Sequence, residues 1–244
     1  MKRLLSAAFA VLLGGLFTVP AQAGEWYENI SWYGDLRYRH ENIQDSTYGV
    51  EDGEIVVVDK PQRDRQRIRA RVGLKAKVND AVKVQMRLAT APGEYDSRNQ
   101  TLDNTFTNKG IGLDVAQFTI APMDDMLEIH GGKIKNPFET IGKSPLIYDG
   151  DITPEGMAAA IHIPAGDMLS VFATLGGFWF DEVKTSVDSF LVAGQAGVNV
   201  KLDNIKIKIG GGYHEWTLTD ILMDEFFLEV GTKLGGLPVK VYGS

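Results

Sequence analysis

The chain has 244 residues, a formal charge of −7 and no cysteine. An acidic balance argues against a nucleic-acid binder, which carries net basic charge. Without cysteine the fold must find its stability elsewhere than in disulfides.

Residues 1–24 read MKRLLSAAFAVLLGGLFTVPAQAG, with a basic start at Lys2 and Arg3, an apolar run from Leu4 to Phe17, and the small-x-small site Ala21-Gln22-Ala23. This is the pattern of a secretory signal peptide over 1–23, cleaved near Ala23, leaving an exported mature domain over 24–244. An N-terminal membrane anchor is the weaker alternative, because the run is shorter than the ~20 residues a spanning helix needs. No later apolar run reaches that length, so any insertion into a membrane must be by strands.

The first mature strand is expected at Ile30 to Glu41, where Trp32, Gly34, Leu36, Tyr38 and His40 alternate with Ser31, Tyr33, Asp35, Arg37, Arg39 and Glu41. A polar segment follows from about Asn42 to Gln62. Then comes the run RDRQRIRARVGLKAKVN, Arg63 to Asn79. Its odd positions hold Arg63, Arg65, Arg67, Arg69, Arg71, Lys75 and Lys77, and its even positions hold Ile68, Ala70, Val72, Leu74, Ala76 and Val78. A helix would scatter these sets around its cylinder, whereas a strand sends them to opposite faces. Basic groups spaced about 6.6 Å apart along one face repel each other and demand water. Two architectures satisfy both faces: a soluble sandwich with a basic exterior, or a membrane barrel that is polar inside and apolar toward lipid.

Asn79-Asp80 turns this strand into AVKVQMRLAT, where Val82, Val84, Met86 and Leu88 oppose Lys83, Gln85 and Arg87, a hairpin signal. After a long connection from Pro92 to Gly110 come IGLDVAQFTIA, a short PMDDM turn and LEIHGGKIKNPF. A second long irregular region, Glu139 to Glu155, leads to GMAAAIHI, a PAGD turn and MLSVFATLGGFWF. FLVAGQAGVNVKL then turns at Asp203-Asn204 into IKIKIGGGYHEW, and FFLEVGTKL passes through Gly235-Gly236 into LPVKVYGS. Short turns alternate with long loops, the rhythm of an outer-membrane barrel rather than of a sandwich. Trp26, Trp32, Tyr38, Tyr95, Trp179, Tyr213 and Trp216 lie near strand ends and could form interfacial girdles.

At GDLRYRHE, at RDRQRIRARVGLKAKVNDAVKVQMRLATAPGE, and at KIKNPF and DGDITPEGMAA, the sequence resembles a porin family of Gram-negative outer membranes. The likeness runs from about Ser31 to the end, with NPF and DxDxxPEG its most distinctive parts. It implies an all-β, antiparallel transmembrane barrel and passive diffusion of small hydrophilic solutes, with outer-membrane lipid as surroundings and no nucleic-acid partner. A homotrimer is open to such a protein, although no interface is visible in the sequence. About ten to eleven strands are countable here, against a barrel of about sixteen in a full-length member, and the chain ends at Ser244 rather than on an aromatic residue; a C-terminally incomplete barrel is therefore expected.

On this reading Arg37, Arg39, Arg63, Arg65, Arg67, Arg69, Arg71, Lys75, Lys77, Lys83 and Arg87 line the pore, where fixed charge would favour anions. Against it stands a structural network in which Asp35 and Glu41 neutralise the arginines. The stretch from about Asn136 to Glu155, carrying Pro137, Phe138, Asp149, Asp151 and Glu155, is the candidate constriction, with its carboxylates facing the basic wall; an ordinary surface loop is the competing reading. No catalysis, metal or cofactor is expected. Asp149-x-Asp151 lacks the glycine and glutamate of a calcium loop. Gly142-Lys143-Ser144 has Pro137 where a phosphate loop needs glycine and Leu146 where a nucleophile elbow needs it. His40, His130, His162 and His214 share no ligand spacing. An outer-membrane hydrolase would need a Ser and a His converging at the rim. The main functional alternative is an exported soluble sandwich that binds an anionic glycan or polymer on its basic face.

Overall fold

The computed structural model describes residues 26–44, 46–51, 54–59, 62–142, 147–217, 221–235 and 237–243. The expected signal peptide, 1–23, lies outside them, as do Lys143, Ser144 and Leu146. After one 3-10 turn at Trp26–Asn29, every regular element is a strand: β1 (Ile30–Ile43), β2 (Ser46–Glu51), β3 (Glu54–Asp59), β4 (Arg63–Lys77), β5 (Val82–Thr90), β6 (Gln100–Thr101), β7 (Ile111–Ile120), β8 (Pro122–Asp125), β9 (Leu127–Lys133), β10 (Glu155–Pro164), β11 (Leu169–Asp181), β12 (Ser189–Leu202), β13 (Ile205–Trp216), β14 (Ile221–Leu234) and β15 (Leu237–Gly243). Eleven of them form one antiparallel path, β1-β4-β5-β7-β9-β10-β11-β12-β13-β14-β15, and β6 adds two residues against β4. Among the described residues no pairing joins β1 to β15.

Each strand pairs with its neighbour in this meander, so the connections alternate between its two ends: those after β4, β7, β10, β12 and β14 are short, and at the other end lie the long connections after β1, β5 and β9 with the shorter ones after β11 and β13. The turn after β4 is fixed by Asn79, whose Oδ1 accepts from the Ala81 and Val82 amides at 2.9 and 2.8 Å. Asp203 takes a left-handed φ of 45° in the two-residue turn after β12, a conformation Asp tolerates better than most residues.

Three local expectations change. The segment between β1 and β4, read as a polar connection, contains the β2–β3 hairpin paired from Ser46↔Asp59 to Glu51↔Glu54. PMDDM, read as a turn, contains the four-residue β8. Finally, β14 starts at Ile221, five residues before FFLEVGTKL, because Ile221 to Phe226 continue the pairing with β13 through Trp216↔Ile221 and Gly211↔Phe226.

The polarity of the sheet is the reverse of a soluble sandwich. On β1 the even residues are bare, with Trp32, Leu36 and Tyr38 exposed by 72, 78 and 65 %. Val72, Leu113, Leu175, Val192, Ile209, Phe226 and Leu228 continue this apolar surface across the sheet. Of the girdle candidates, Trp32, Tyr38, Trp179 and Tyr213 are exposed on strands and Tyr95 on a loop; Trp216 instead packs against a buried cluster. No second sheet covers the apolar face among the described residues, since the only other sheet is the β2–β3 hairpin.

Candidate functional site

The opposite face of β1 and β4 carries the basic ladder. Register sets Asp35 opposite Arg71, Arg37 opposite Arg69, Arg39 opposite Arg67 and Glu41 opposite Arg65. Two of these pairs put arginine directly against arginine, an arrangement that destabilises a sheet unless countercharge or water intervenes. Countercharge comes first from β1 itself. Asp35 accepts from Arg69 at 3.1 Å and from Arg71 at 2.7 Å, while Glu41 takes both Arg39 and Arg65.

The rest arrives from the two long connections. Residues 91–110 bring Glu94 to within 3.8 Å of Arg67, and Asn99 accepts from Arg37 through its side chain and from Arg67 through its backbone carbonyl. The connection after β9 brings Asp151, whose Oδ1 lies 3.3 Å from both Arg69 and Arg71. A cavity of about 880 Å³ remains between these walls, with Arg37, Arg39, Arg67, Arg69 and Arg71 on one side and Glu94, Asp96, Asp149 and Asp151 on the other.

A buried joint holds the two connections together. Asp114 on β7, its side chain 1 % exposed, accepts from Arg87 of β5 at 2.6 Å and from Arg98 at 2.8 Å. Arg98 also donates to Thr153 Oγ1 at 3.1 Å, and its amide donates to Asp151 Oδ2 at 3.3 Å.

What fixes the connection from Ile134 to Pro154 is an aromatic wall on the far side of the same face. Phe172 and Phe178 of β11, Leu191 of β12 and Phe227 of β14 are buried there, although they share a face with charged residues elsewhere in the sheet. Ile134, Phe138 and Tyr148 pack on Phe178, Leu191 and Ala193, and Ile141 packs with Phe172 and Phe227. Phe138 stacks on Tyr148 with centroids 5.5 Å apart and meets Phe178 edge-on at 6.2 Å. Polar anchors complete the seat: the Glu139 amide donates to Gln195 Oε1 at 2.8 Å, Lys208 pairs with Glu139 at 2.5 Å, and the Gly142 amide donates to Glu229 at 3.1 Å. Burial, and after it the Glu225 carboxylate, pushes the Tyr148 phenol well above its ordinary range. It therefore stays protonated and can donate to Nδ1 of the fully buried His214, 3.1 Å away. The segment thus reaches from β14 to β4 across one face of the sheet.

The ladder candidates divide accordingly. Arg37, Arg39, Arg67, Arg69 and Arg71 share the cavity. Arg65 sits beside it on Glu41, and Arg63 is exposed at the end of β4. Arg87 is locked in the Asp114 joint, Lys77 pairs with Asp80 at 2.7 Å in the short turn, and Lys83 lies opposite Lys77. Among the loop candidates, Asp149 and Asp151 face the arginines, Asn136 caps the Phe138 amide at 3.0 Å, and Phe138 is a buried anchor following Pro137. Glu155 does not join them: it opens β10 directly opposite Lys133 and pairs with it at 2.7 Å. Glu94, Asp96, Arg98, Asn99 and Asp114 belong to the site and were not anticipated. A signal was present for Asp114 alone, a charge interrupting the apolar run IGLDVAQF.

A single antiparallel meander with short turns at one end, two long inward-seated connections at the other, a charged covered face and a bare apolar face is a fold of the outer-membrane β-barrel class. Residues 56–227 match the family described as "Putative porin". The chain belongs to that family and is a porin-like outer-membrane protein. Among solved structures it is similar to a loop L8 deletion mutant of OmpT, an outer membrane protein of Vibrio cholerae, with 13% identity and a TM-score of 0.36, over 83% of this chain and 78% of that one. No curated protein matches the sequence.

Proposed function

We infer that the protein is a passive diffusion pore for small hydrophilic solutes, with the loop-covered face as its lumen and no catalytic step. The observation that carries this reading is the inversion of polarity: arginines gathered around a water-accessible cavity, and large apolar side chains bare on the other face. In a bilayer that bare face would meet lipid. The segment from Asn136 to Pro154 would narrow the passage, and solutes would pass between the arginines and the carboxylates of Glu94, Asp96, Asp149 and Asp151, in a transverse field.

Anion preference on this account is modest. Most ladder arginines have a carboxylate partner, whereas Arg37 donates to the neutral Asn99. Single-channel recording in a planar bilayer under a salt gradient tests the reading. The protein is expected to give discrete steps and a reversal potential on the anion side, and changing Arg65, Arg67, Arg69 and Arg71 together to Gln should move that potential to the cation side, because Asp35, Glu94 and Asp151 lose their arginine partners and Glu41 keeps only Arg39. Steps unchanged by the quadruple substitution would remove the arginines from the passage; absence of steps would remove the pore.

A second consequence concerns the apolar face. Leu36→Arg, in the middle of β1, should destabilise the protein in lipid by about 2–4 kcal/mol, the cost of a cation at the bilayer midplane. Arg65→Leu on the covered face should cost less than half as much. Urea unfolding in phospholipid vesicles compares the two.

A further inference from the structure

One part of the covered face is left without countercharge. Tyr33 of β1 lies across β4 at Gly73, where a Cβ would come within 2.6 Å of its ring, and its hydroxyl accepts from Gln85 of β5. Two ammoniums approach that one ring: Lys75 at 5.5 Å and Lys135 at 5.4 Å from the centroid. Lys75 comes from β4, while Lys135 lies just beyond β9 and is held in place by its amide, which donates to Gln117 at 3.1 Å. Among the described residues neither ammonium has a carboxylate within ion-pair distance, unlike Lys77, Lys133, Lys208 and Lys240. Among the described residues the Tyr33 hydroxyl proton also meets no acceptor. Burial, followed by repulsion from Arg87, Lys75 and Arg71 and offset by Asp114, holds the Lys135 amine below the ordinary lysine range. The positive potential here is therefore felt by the cation itself, and a bound anion would relieve it.

We propose that Lys75, Lys135 and the Tyr33 hydroxyl form a binding site for a small oxyanion, placed between the arginine cluster and the short-turn end of the sheet. It rests on the pore reading in that solutes would reach it through the cavity described above. The donors are two point charges on flexible stems and one hydroxyl, which suits a compact dianion better than a monoanion or a planar group needing a bidentate fork. Hydrated ammoniums bind weakly, and a site in a passage must release what it holds, so the affinity should be on the order of 1 mM. Inorganic phosphate is the probe that fits, with acetate as the monoanionic comparison.

Phosphorus NMR of phosphate titrated against the full chain in detergent micelles reads such exchange directly. Saturable broadening is expected, displaced by acetate at several-fold higher concentration, and weakened roughly tenfold by Lys75→Met with Lys135→Met, as loss of two contact charges implies. Lys77→Met with Lys240→Met removes the same total charge from lysines that already have partners and should leave binding within about twofold. Tyr33→Phe keeps the ring under the lysines and should cost a few-fold. Equal weakening by both lysine pairs, or displacement of phosphate by chloride at the same concentration as by acetate, would mean diffuse screening and overturn the site. Broadening that never saturates would do the same. Saturable binding by a protein silent in bilayers would keep the site and sink the pore reading, whereas conductance without saturable binding would do the reverse.

Discussion

Asp114→Asn should lower the stability of the folded protein by about 3–5 kcal/mol, the usual cost of stripping the partner from a buried ion pair. Asp114 is nearly fully buried and receives both Arg87 and Arg98, whose side chains are each 9 % exposed. Neutralising it leaves two guanidiniums facing each other without a carboxylate. The loss should be insensitive to salt, because a pair removed from solvent is poorly screened. It should also propagate, since Arg98 is the residue that ties the connection after β5 to Thr153 and Asp151. Denaturant unfolding in detergent at low and at high salt measures the first effect, and increased proteolysis within residues 91–110 the second. A loss under 1 kcal/mol would show that water already compensates these charges.

The second large effect concerns the aromatic seat. Phe138→Ala removes the ring that meets Tyr148, Phe178 and His214, and a buried Phe→Ala change costs about 3–5 kcal/mol where the site cannot collapse. Much of that cost should fall on the docking of residues 134–154 rather than on the sheet, whose backbone ladder is untouched. The variant is thus expected to stay folded, to become protease-sensitive between Ile134 and Pro154, and to conduct more, with noisier open levels, in bilayers. Unchanged conductance beside clear proteolysis would mean that this segment does not narrow the passage.

How far these features could be read from the sequence depends on whether they are local. The alternation in Arg63–Asn79 is a property of one strand, and the structure returns β4 over Arg63–Lys77, with Val78 and Asn79 already in the turn. The eleven-strand meander follows from a short turn or a loop after each alternating run. The β2–β3 hairpin was obscured because polar residues surround its short apolar run, although Glu51-Asp52-Gly53-Glu54 between STYGV and IVVVD contains the Asp-Gly dipeptide that marks tight hairpins. Loop destinations are a different matter. Charge complementarity points the carboxylates of the connection after β9 toward the basic wall, but that Asp151 in particular reaches Arg69 and Arg71, 82 and 80 residues away in the chain, has no signal in the sequence. That Arg98, Asn99 and Lys135 would join was invisible, since no periodicity governs a loop side chain. The inward aromatics were masked for a related reason. FATLGGFWF is apolar at both parities, so alternation alone cannot say that Phe172 and Phe178 turn toward a docked segment while Leu175 and Trp179 stay bare.

The two halves of the covered face explain why this segment is long and mixed in composition. Its apolar residues, Ile134, Phe138, Ile141 and Tyr148, attach it to β11–β14, and its acidic residues, Asp149 and Asp151, are then delivered to β4. Substituting either set alone should separate the two roles: loss of the acids changes charge selectivity, and loss of the aromatics changes the width of the passage.

On the pore reading the two faces of the sheet meet different media, water on the arginine side and lipid on the apolar side. The absence of native cysteine makes a direct measurement available. Single cysteines placed in turn at residues 35 to 40 of β1 and 67 to 72 of β4, in protein reconstituted in vesicles, would be challenged with a charged, membrane-impermeant thiol reagent. Modification is expected at odd positions and protection at even ones, with the pattern reversed for quenching of a thiol-attached fluorophore by lipid-borne quenchers. Equal modification at both parities, or even positions labelled as readily as odd, would contradict the account.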